Sequence, residues 1–324
     1  MKSSNINNLN DIKKIHFIGI GGSGMFPLAQ ILNDHGFEIT GSDIYESDTL
    51  DKVKKMGISV AVKHDKENIK NQDLVVFSAA IKETNPEIQA AKEKNISIIE
   101  RSIMLGIIFN NYKNSIGVSG THGKTTTTSM ITSILLDAKK DPTAVIGGTL
   151  PKIGGNSCAG ESDIIVAEAC EYVDSFLHLH PKISVITNVD ADHLDYFGTL
   201  ENVKKSFHQY ASQTTGLIVV NGDDKNAKDV VENTTASKIF FGLSKENDYF
   251  ADNIEFNEKQ QARFDVFKGH EKITRLELSV PGNHNIYNAL AAFIACSDLG
   301  VSPSEIQKSL KTFKGAHRRF EILG

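Results

Sequence analysis

The chain has 324 residues, 40% of them hydrophobic and 23% charged, enough to bury a sizeable core divided into about two domains. With 35 Lys and Arg against 40 Asp and Glu, the formal net charge is -5 and no long basic run appears. That balance argues against a nucleic-acid or membrane-surface role and leaves small anionic ligands open.

Cys158, Cys170 and Cys296 form no paired framework, which fits a reducing compartment. The opening stretch MKSSNINNLNDIKK is polar with no apolar segment behind it, and no later run approaches the about 18 apolar residues of a membrane span. A cytoplasmic protein is expected.

Along the chain, the strand-like runs IHFIGI, EITGSD, ISVAV, DLVVFSAAI and ISII alternate with helix-length segments such as 48–56 and 86–94. This alternation predicts a parallel sheet flanked by helices, a Rossmann-like domain over 1–112. The polar stretch 110–114 interrupts it, and SIGVSG opens a second series: a helix from Lys124, then TAVIGG, DIIVAEA, KISVITNV, a helix over 201–210, LIVVNGD and KIFFGL. The expected fold is therefore α/β twice over, with a central P-loop ATPase-type domain over 113–314. Between 249 and 280 the pieces YFADNIEF, ARFDVFKG and KITRLELSV predict an antiparallel hairpin or small extra sheet. Two helices follow, from Asn283 and Ser302, and 315–324 reads as a linker.

Two glycine loops stand out. Gly19, Gly21 and Gly24 fit G-x-G-x-x-G directly after a strand, and Asp43 ends the next strand at the spacing of a ribose-binding acid. Glycines there let backbone approach a pyrophosphate at a helix N-terminus, where unsatisfied amides favour negative charge. The second loop, GVSGTHGKTTTTSM, carries the Gly123-Lys124-Thr125 core of a P-loop, although Val118 stands where the usual pattern has its first glycine. Backbone amides from Gly120 to Lys124 are expected to wrap phosphates, with Lys124 neutralising the terminal one and Thr125 ligating Mg²⁺.

Hard oxygen ligands for that ion are sought at neighbouring strand ends. Glu168 closes the apolar run DIIVAEA and is the first metal candidate, with Glu171 and Asp174 as alternates. After KISVITNV the cluster Asp190, Asp192, His193 and Asp195 marks a second acidic edge, where His193 is a candidate ligand. Cys170, His178, His180 and His193 match no zinc spacing. His178 and His180 are expected to line one face of an extended piece, with Phe176, Leu177 and Leu179 in the core.

Taken together, the two loops, the acid-terminated strand and TNVDADHLD resemble the Mur ligases, ATP-dependent enzymes that join amino acids to a UDP-sugar in peptidoglycan assembly. PGNHNIYNALAA and GAHRRFE are similar to two further blocks of the family. HFIGIGGSGM with SFLHLHP is most similar to the branch that joins L-alanine to the lactyl carboxylate of UDP-N-acetylmuramate. A neighbouring branch adds a whole tripeptide to the same nucleotide sugar.

The resemblance implies that Gly21, Gly22, Ser23, Gly24 and Met25, with Ser42 and Asp43, hold the UDP-sugar diphosphate, and that Arg318 or Arg319 approaches it from the linker. ATP would lie on Gly120, Thr121, His122, Gly123, Lys124, Thr125 and Thr126, with Asn285 and Asn288. Mg²⁺ would be held by Thr125, Glu168 and His193, and Lys124, Glu168 and His193 would carry catalysis. The implied reaction phosphorylates the lactyl carboxylate from ATP; the alanine amine then attacks the acyl phosphate. Ser206 stands where some relatives carry a carbamylated lysine, and Cys170 where related ligases often have Asp. Relatives continue past RRFE into a third α/β domain, so a truncated chain is expected that binds UDP-N-acetylmuramate but forms no alanyl product alone. Rival readings are a NAD-dependent dehydrogenase, which leaves Lys124 without a task, and a non-catalytic nucleotide-binding protein.

Overall fold

The computed structural model describes residues 8–316. They divide into two compact units, the first ending at Asn111 and including Ser157–Ala159, the second beginning at Tyr112.

The first unit contains β1 (Lys14–Ile18), α1 (Phe26–Asp34), β2 (Glu38–Ser42), α2 (Asp48–Lys55), β3 (Ser59–Ala61), β4 (Leu74–Phe77), α3 (Pro86–Glu93), β5 (Ser97–Glu100) and α4 (Arg101–Asn110). The five strands are parallel in the order β3-β2-β1-β4-β5. All four residues of β4 are buried, the continuous apolar pattern of a strand covered on both faces. Helix starts follow local chemistry: the Ser47 side chain accepts from the Leu50 amide, and Asn85 accepts from Glu87 and Ile88 just before Pro86. The sheet order reverses beside β1, so the glycine loop after Ile18 opens at a topological switch point.

The second unit contains β6 (Asn114–Ser119), α5 (Lys124–Asp137), β7 (Thr143–Leu150), β8 (Gly155–Cys158), β9 (Ile164–Glu168), β10 (Ile183–Ile186), α6 (Leu194–Phe197), α7 (Leu200–Ser212), β11 (Leu217–Asn221), α8 (Lys225–Val231) and β12 (Ser237–Gly242). It continues through β13 (Tyr249–Phe256), β14 (Gln261–Lys268), β15 (Glu271–Pro281), α9 (His284–Asp298) and α10 (Pro303–Thr312). Its sheet runs β15-β14-β13-β12-β11-β10-β6-β9-β7-β8. The antiparallel hairpin pairing expected over 249–280 is present in β13–β14 and β14–β15, but it extends the main sheet and is not a separate one. β13 pairs parallel to β12, with β14 and β15 added antiparallel beyond it.

β6 lies between β9 and β10, again where the order reverses. α5 begins with four consecutive threonines, a poor local helix signal. The helix forms because burial overrides that propensity, and Thr128 and Thr132 satisfy their buried hydroxyls by donating back to the carbonyls of Lys124 and Thr128, both at 2.8 Å.

Gly117 in β6 exists for a packing reason. Tyr210 of α7 is fully buried, stacks on Phe176 at 4.7 Å, and points its hydroxyl to where a methyl on Gly117 would stand. That hydroxyl has no hydrogen-bond partner among the described residues. Gly117→Ala is predicted to lower the unfolding free energy by about 1–3 kcal/mol in urea titrations. Tyr210→Phe should recover most of the loss, since it removes the clashing atom at no hydrogen-bond cost. An equal loss from Gly117→Ala in both backgrounds would contradict this explanation.

Candidate functional site

In the first unit, the loop 19–25 is held by its own hydrogen bonds. The Gly19 and Ile20 amides donate to the Ser42 carbonyl at 2.8 and 3.0 Å, and the Gly21 amide donates to Asp43 Oδ2 at 2.9 Å. Gly22 donates to the Gly19 carbonyl and Met25 to Gly22. Asp43 thus sits at the loop, but one of its oxygens is engaged in holding the turn.

Two sequence assignments change in detail. Met25 is 1% exposed, so its side chain belongs to the core and only its backbone faces the loop. Ser42 is fully buried and donates its hydroxyl to Glu87 Oε2 at 2.6 Å. Gly22 and Ser23 are exposed. Arg101, which sequence reasoning did not single out, lies over Gly24, its Cδ 3.0 Å from where a side chain there would begin. It brings a cation to the glycine loop from the start of α4. Arg318 and Arg319 lie outside the described residues.

Beneath Ser42 is a polar cluster absent from the sequence reading. Glu87, fully buried, accepts from Ser42, from Asn68 Nδ2 at 2.6 Å and from His64 Nδ1 at 3.0 Å, and His16 Nε2 is 3.5 Å away. Burial alone would raise the Glu87 pKa, but the neighbouring His16 and the hydrogen bonds from Ser42 and Asn68 outweigh it and hold the carboxyl below its usual value.

In the second unit, the loop 119–124 is clamped by the end of β10. Thr121 and His122 amides donate to the Asn188 carbonyl and to Asn188 Oδ1 at 3.0 and 2.8 Å, while Asn188 Nδ2 and Thr187 Oγ1 donate to the His122 carbonyl at 2.9 and 2.6 Å. Two of the amides expected to wrap phosphate are therefore committed to Asn188. The donors left for an anion shift to the N-terminus of α5, where Gly123 gives no side-chain cap. Gly123 has φ 88°, and a methyl on it would meet Asn288 Oδ1 at 2.6 Å, so both backbone and space demand glycine.

Asn288 also accepts from Thr127 Oγ1 at 3.1 Å and donates to Asn285 Oδ1 at 2.9 Å, while Asn285 donates to the Pro281 carbonyl at 2.7 Å. These two asparagines, 4% and 5% exposed, tie the start of α9 to the start of α5. Thr126 is half-buried in the first turn of α5 and His122 is exposed on the loop.

Around Lys124 the structure brings together Thr125, Glu168 and Glu171. Thr125 Oγ1 donates to Glu168 Oε2 at 2.8 Å, and the Gly147 amide donates to the same oxygen at 2.9 Å. Lys124 Nζ contacts Glu171 at 2.9 Å and donates to the Gly120 and Thr121 carbonyls at 2.5 and 3.2 Å. His193 does not join Glu168 in one group. Its ligand atom lies within 4.8 Å of those of Glu171 and Asp192, and its ring is 4.8 Å from that of Tyr172. Thr125 and Glu168 offer hard oxygen donors at one place, and Glu171, Asp192 and His193 offer carboxylates and an imidazole at another.

The piece 176–181 expected to be extended begins inside a turn, Tyr172–His178, and takes extended backbone angles at Leu179. That turn is a short 3₁₀ segment in which Val173 and Asp174 take left-handed backbone angles, φ 54° and 55°. Phe176 and Leu179 are buried as expected, Leu177 is half-buried, and His178 and His180 are exposed. Cys170 is half-buried, and burial with the adjacent Glu171 charge raises its thiol pKa, which keeps it an inert thiol.

Two α/β units, each with a glycine loop at its switch point and one with a lysine-tipped P-loop beside strand-end carboxylates, define a nucleotide-phosphate-binding protein built for phosphoryl chemistry. The chain belongs to the Mur ligase family: residues 14–113 match the family's domain described as catalytic and residues 118–296 match the Mur ligase middle domain. It is 46% identical over 327 residues to the UDP-N-acetylmuramate–L-alanine ligase of Acetivibrio thermocellus, covering 100% of this chain and 70% of that protein. The enzyme of the same description from Clostridium acetobutylicum is 46% identical over 318 residues, covering 97% and 69%. Among solved structures, the UDP-N-acetylmuramate–alanine ligase of Thermotoga maritima superposes with TM-score 0.82 at 31% identity, over 96% of this chain and 71% of that one. The Neisseria ligase that acts on UDP-N-acetylmuramate with L-alanyl-γ-D-glutamyl-meso-diaminopimelate gives TM-score 0.85 at 28% identity, over 95% and 100%. No helix among the described residues is long and apolar enough to cross a membrane.

The Glu87 cluster carries a prediction with a definite sign. A carboxyl depressed in the folded state contributes stability above its unfolded pKa, about 4.3, and loses it as pH falls through the folded value. Glu87→Gln, which sets an amide N–H against donors, should lower the unfolding free energy by about 1–3 kcal/mol at pH 7. In urea titrations the gap to the unaltered protein should shrink as the solution is acidified below pH about 4.3. A gap independent of pH would show that Glu87 is not folded as the carboxylate.

Proposed function

We propose that the protein is a UDP-N-acetylmuramate:L-alanine ligase, acting in the cytoplasm in peptidoglycan precursor synthesis. The observation that carries the reading is the convergence at the β6 edge of Lys124, Thr125 and Glu168, in a chain 46% identical over its length to ligases of that description. Higher identity to the alanine-adding relatives than to the tripeptide-adding structure favours L-alanine as acceptor.

In this reading the loop 19–25 receives the UDP-sugar diphosphate at the start of α1, with Asp43 holding the turn and Arg101 supplying positive charge. ATP lies on the β6–α5 loop, its phosphates against the α5 amides and the Lys124 ammonium. Asn285 and Asn288 keep the starts of α5 and α9 in register, so that the loop is held at the right distance from its strand.

Thr125 and Glu168, in contact at the start of α5, are the residues that would hold Mg²⁺, which when bound would neutralise charge on the transferring phosphoryl group; His193, grouped with Glu171 and Asp192 rather than with Glu168, would hold a second ion. Lys124 spreads positive charge over the terminal phosphate and then over the tetrahedral oxyanion formed when the amine attacks the acyl phosphate. The carboxylate needs this activation because it does not react with an amine at neutral pH. The chain's contribution is placement and charge neutralisation rather than proton transfer.

Calorimetric titration tests the assignment of the two loops. UDP-N-acetylmuramate and Mg²⁺·ATP should each give binding heat, whereas NADH should give none. Lys124→Ala should weaken ATP by about tenfold or more while leaving the UDP-sugar affinity within about twofold. NADH binding, or ATP binding indifferent to Lys124, would contradict the reading.

A further inference from the structure

Lys124 has three N–H bonds to donate, and all three are committed. Its ammonium meets the Gly120 carbonyl, the Thr121 carbonyl and the Glu171 carboxylate. Two of these partners belong to the loop itself and are neutral; only Glu171 brings a charge. Glu171 is 2% exposed, so its attraction for Lys124 is poorly screened by solvent, and its second oxygen also lies 2.9 Å from the same ammonium. The established logic of a P-loop requires that same ammonium to meet phosphate. Glu171 and phosphate therefore compete for one cation.

The carboxylate is held in place by an over-determined turn. Immediately after Glu171 come the left-handed residues Val173 and Asp174, a conformation that a β-branched residue adopts only under constraint. The constraint is visible. The Asp174 amide donates to the Glu171 carbonyl at 3.0 Å, the Phe176 amide to the Cys170 carbonyl at 3.0 Å, and the Asp174 carboxylate accepts from Ser206 and from Tyr196, the latter at 2.7 Å. Ser206 and Tyr196 thus act at a distance on the direction of Glu171.

We propose that Glu171 is a positioning residue that sets the affinity of the β6–α5 loop for nucleotide by holding Lys124 folded back against Gly120 and Thr121, so that an incoming phosphate must displace its carboxylate. The inference rests on the reading of this loop as an ATP site. It adds a specific partner that phosphate has to replace. Because the carboxylate acts through contact with Lys124 rather than through its charge alone, moving it out of reach should have the same effect as neutralising it.

The test is ADP binding to the whole chain in EDTA, measured by calorimetry for the unaltered protein and for Glu171→Gln and Glu171→Asp. The aspartate keeps the charge but withdraws it by one methylene, beyond hydrogen-bond reach of Nζ. Both variants should bind ADP about tenfold more tightly than the unaltered protein, with UDP-N-acetylmuramate affinity unchanged as the sign that the fold is intact. Unchanged or weaker ADP binding by Glu171→Gln would overturn the proposal, as expected of a residue that merely supports the loop. Tightening by Gln but not by Asp would overturn it too, because charge repulsion without contact would then suffice. If the unaltered protein and both variants all fail to bind ADP while still binding the UDP-sugar, the nucleotide reading falls first and this inference with it.

Discussion

A loop that presents a lysine and bare helix amides to an anion must be kept open against its own tendency to close. In this protein the β6–α5 loop meets that constraint by having both of its flanks fixed from outside. Asn188 and Thr187 take the amides and carbonyl of the segment 121–122, and Asn288 takes the position a side chain at 123 would fill. Thr127 donates to Asn288 and Thr128 back to the Lys124 carbonyl, and the helix starts at Lys124 without a side-chain cap. Everything else in the second unit supports that edge: β9 delivers Glu168 and Glu171, β10 delivers the clamp and the His193 turn, and α9 delivers the asparagine pair.

The first unit solves a related problem with less charge. Its glycine loop is stitched to the end of β2 through the Ser42 carbonyl and the Asp43 carboxylate, and the Ser42 hydroxyl is in turn fixed by Glu87. A buried carboxylate held by four polar neighbours is costly unless every partner is in place. That demand links α3 and the segment after β3, through Ser42, to the geometry of the glycine loop that follows β1. Arg101 is the cation the loop itself lacks.

Much of this was legible in the sequence. The two glycine loops, the strand-by-strand alternation, Lys124 with Thr125 and the acid-terminated strand at Glu168 all follow from local signals, because turns and helix N-termini impose residue types directly. What was not legible came from tertiary contact. The hydrogen bonds of Ser42 to Glu87 and of the Gly21 amide to Asp43 carry no local sequence signal. α4 follows β5 without a glycine or proline to mark the junction, so its start at Arg101 and that residue's approach to Gly24 carry no sequence signal. The turn Tyr172–His178 carries no local sequence signal, because Val173 in a left-handed conformation contradicts its intrinsic preference. Glu171, an alternate in the sequence, is the residue paired with Lys124, and only the fold of that turn brings it there.

The central claim is that one chain carries two separate anion sites, one for a nucleotide sugar and one for ATP. Native mass spectrometry of the protein with UDP-N-acetylmuramate and Mg²⁺·ATP supplied together addresses this most directly. The account predicts a ternary species with one copy of each ligand, formed as readily as either binary complex. Mutually exclusive binding, in which rising ATP removes the nucleotide sugar without a doubly loaded species, would contradict it.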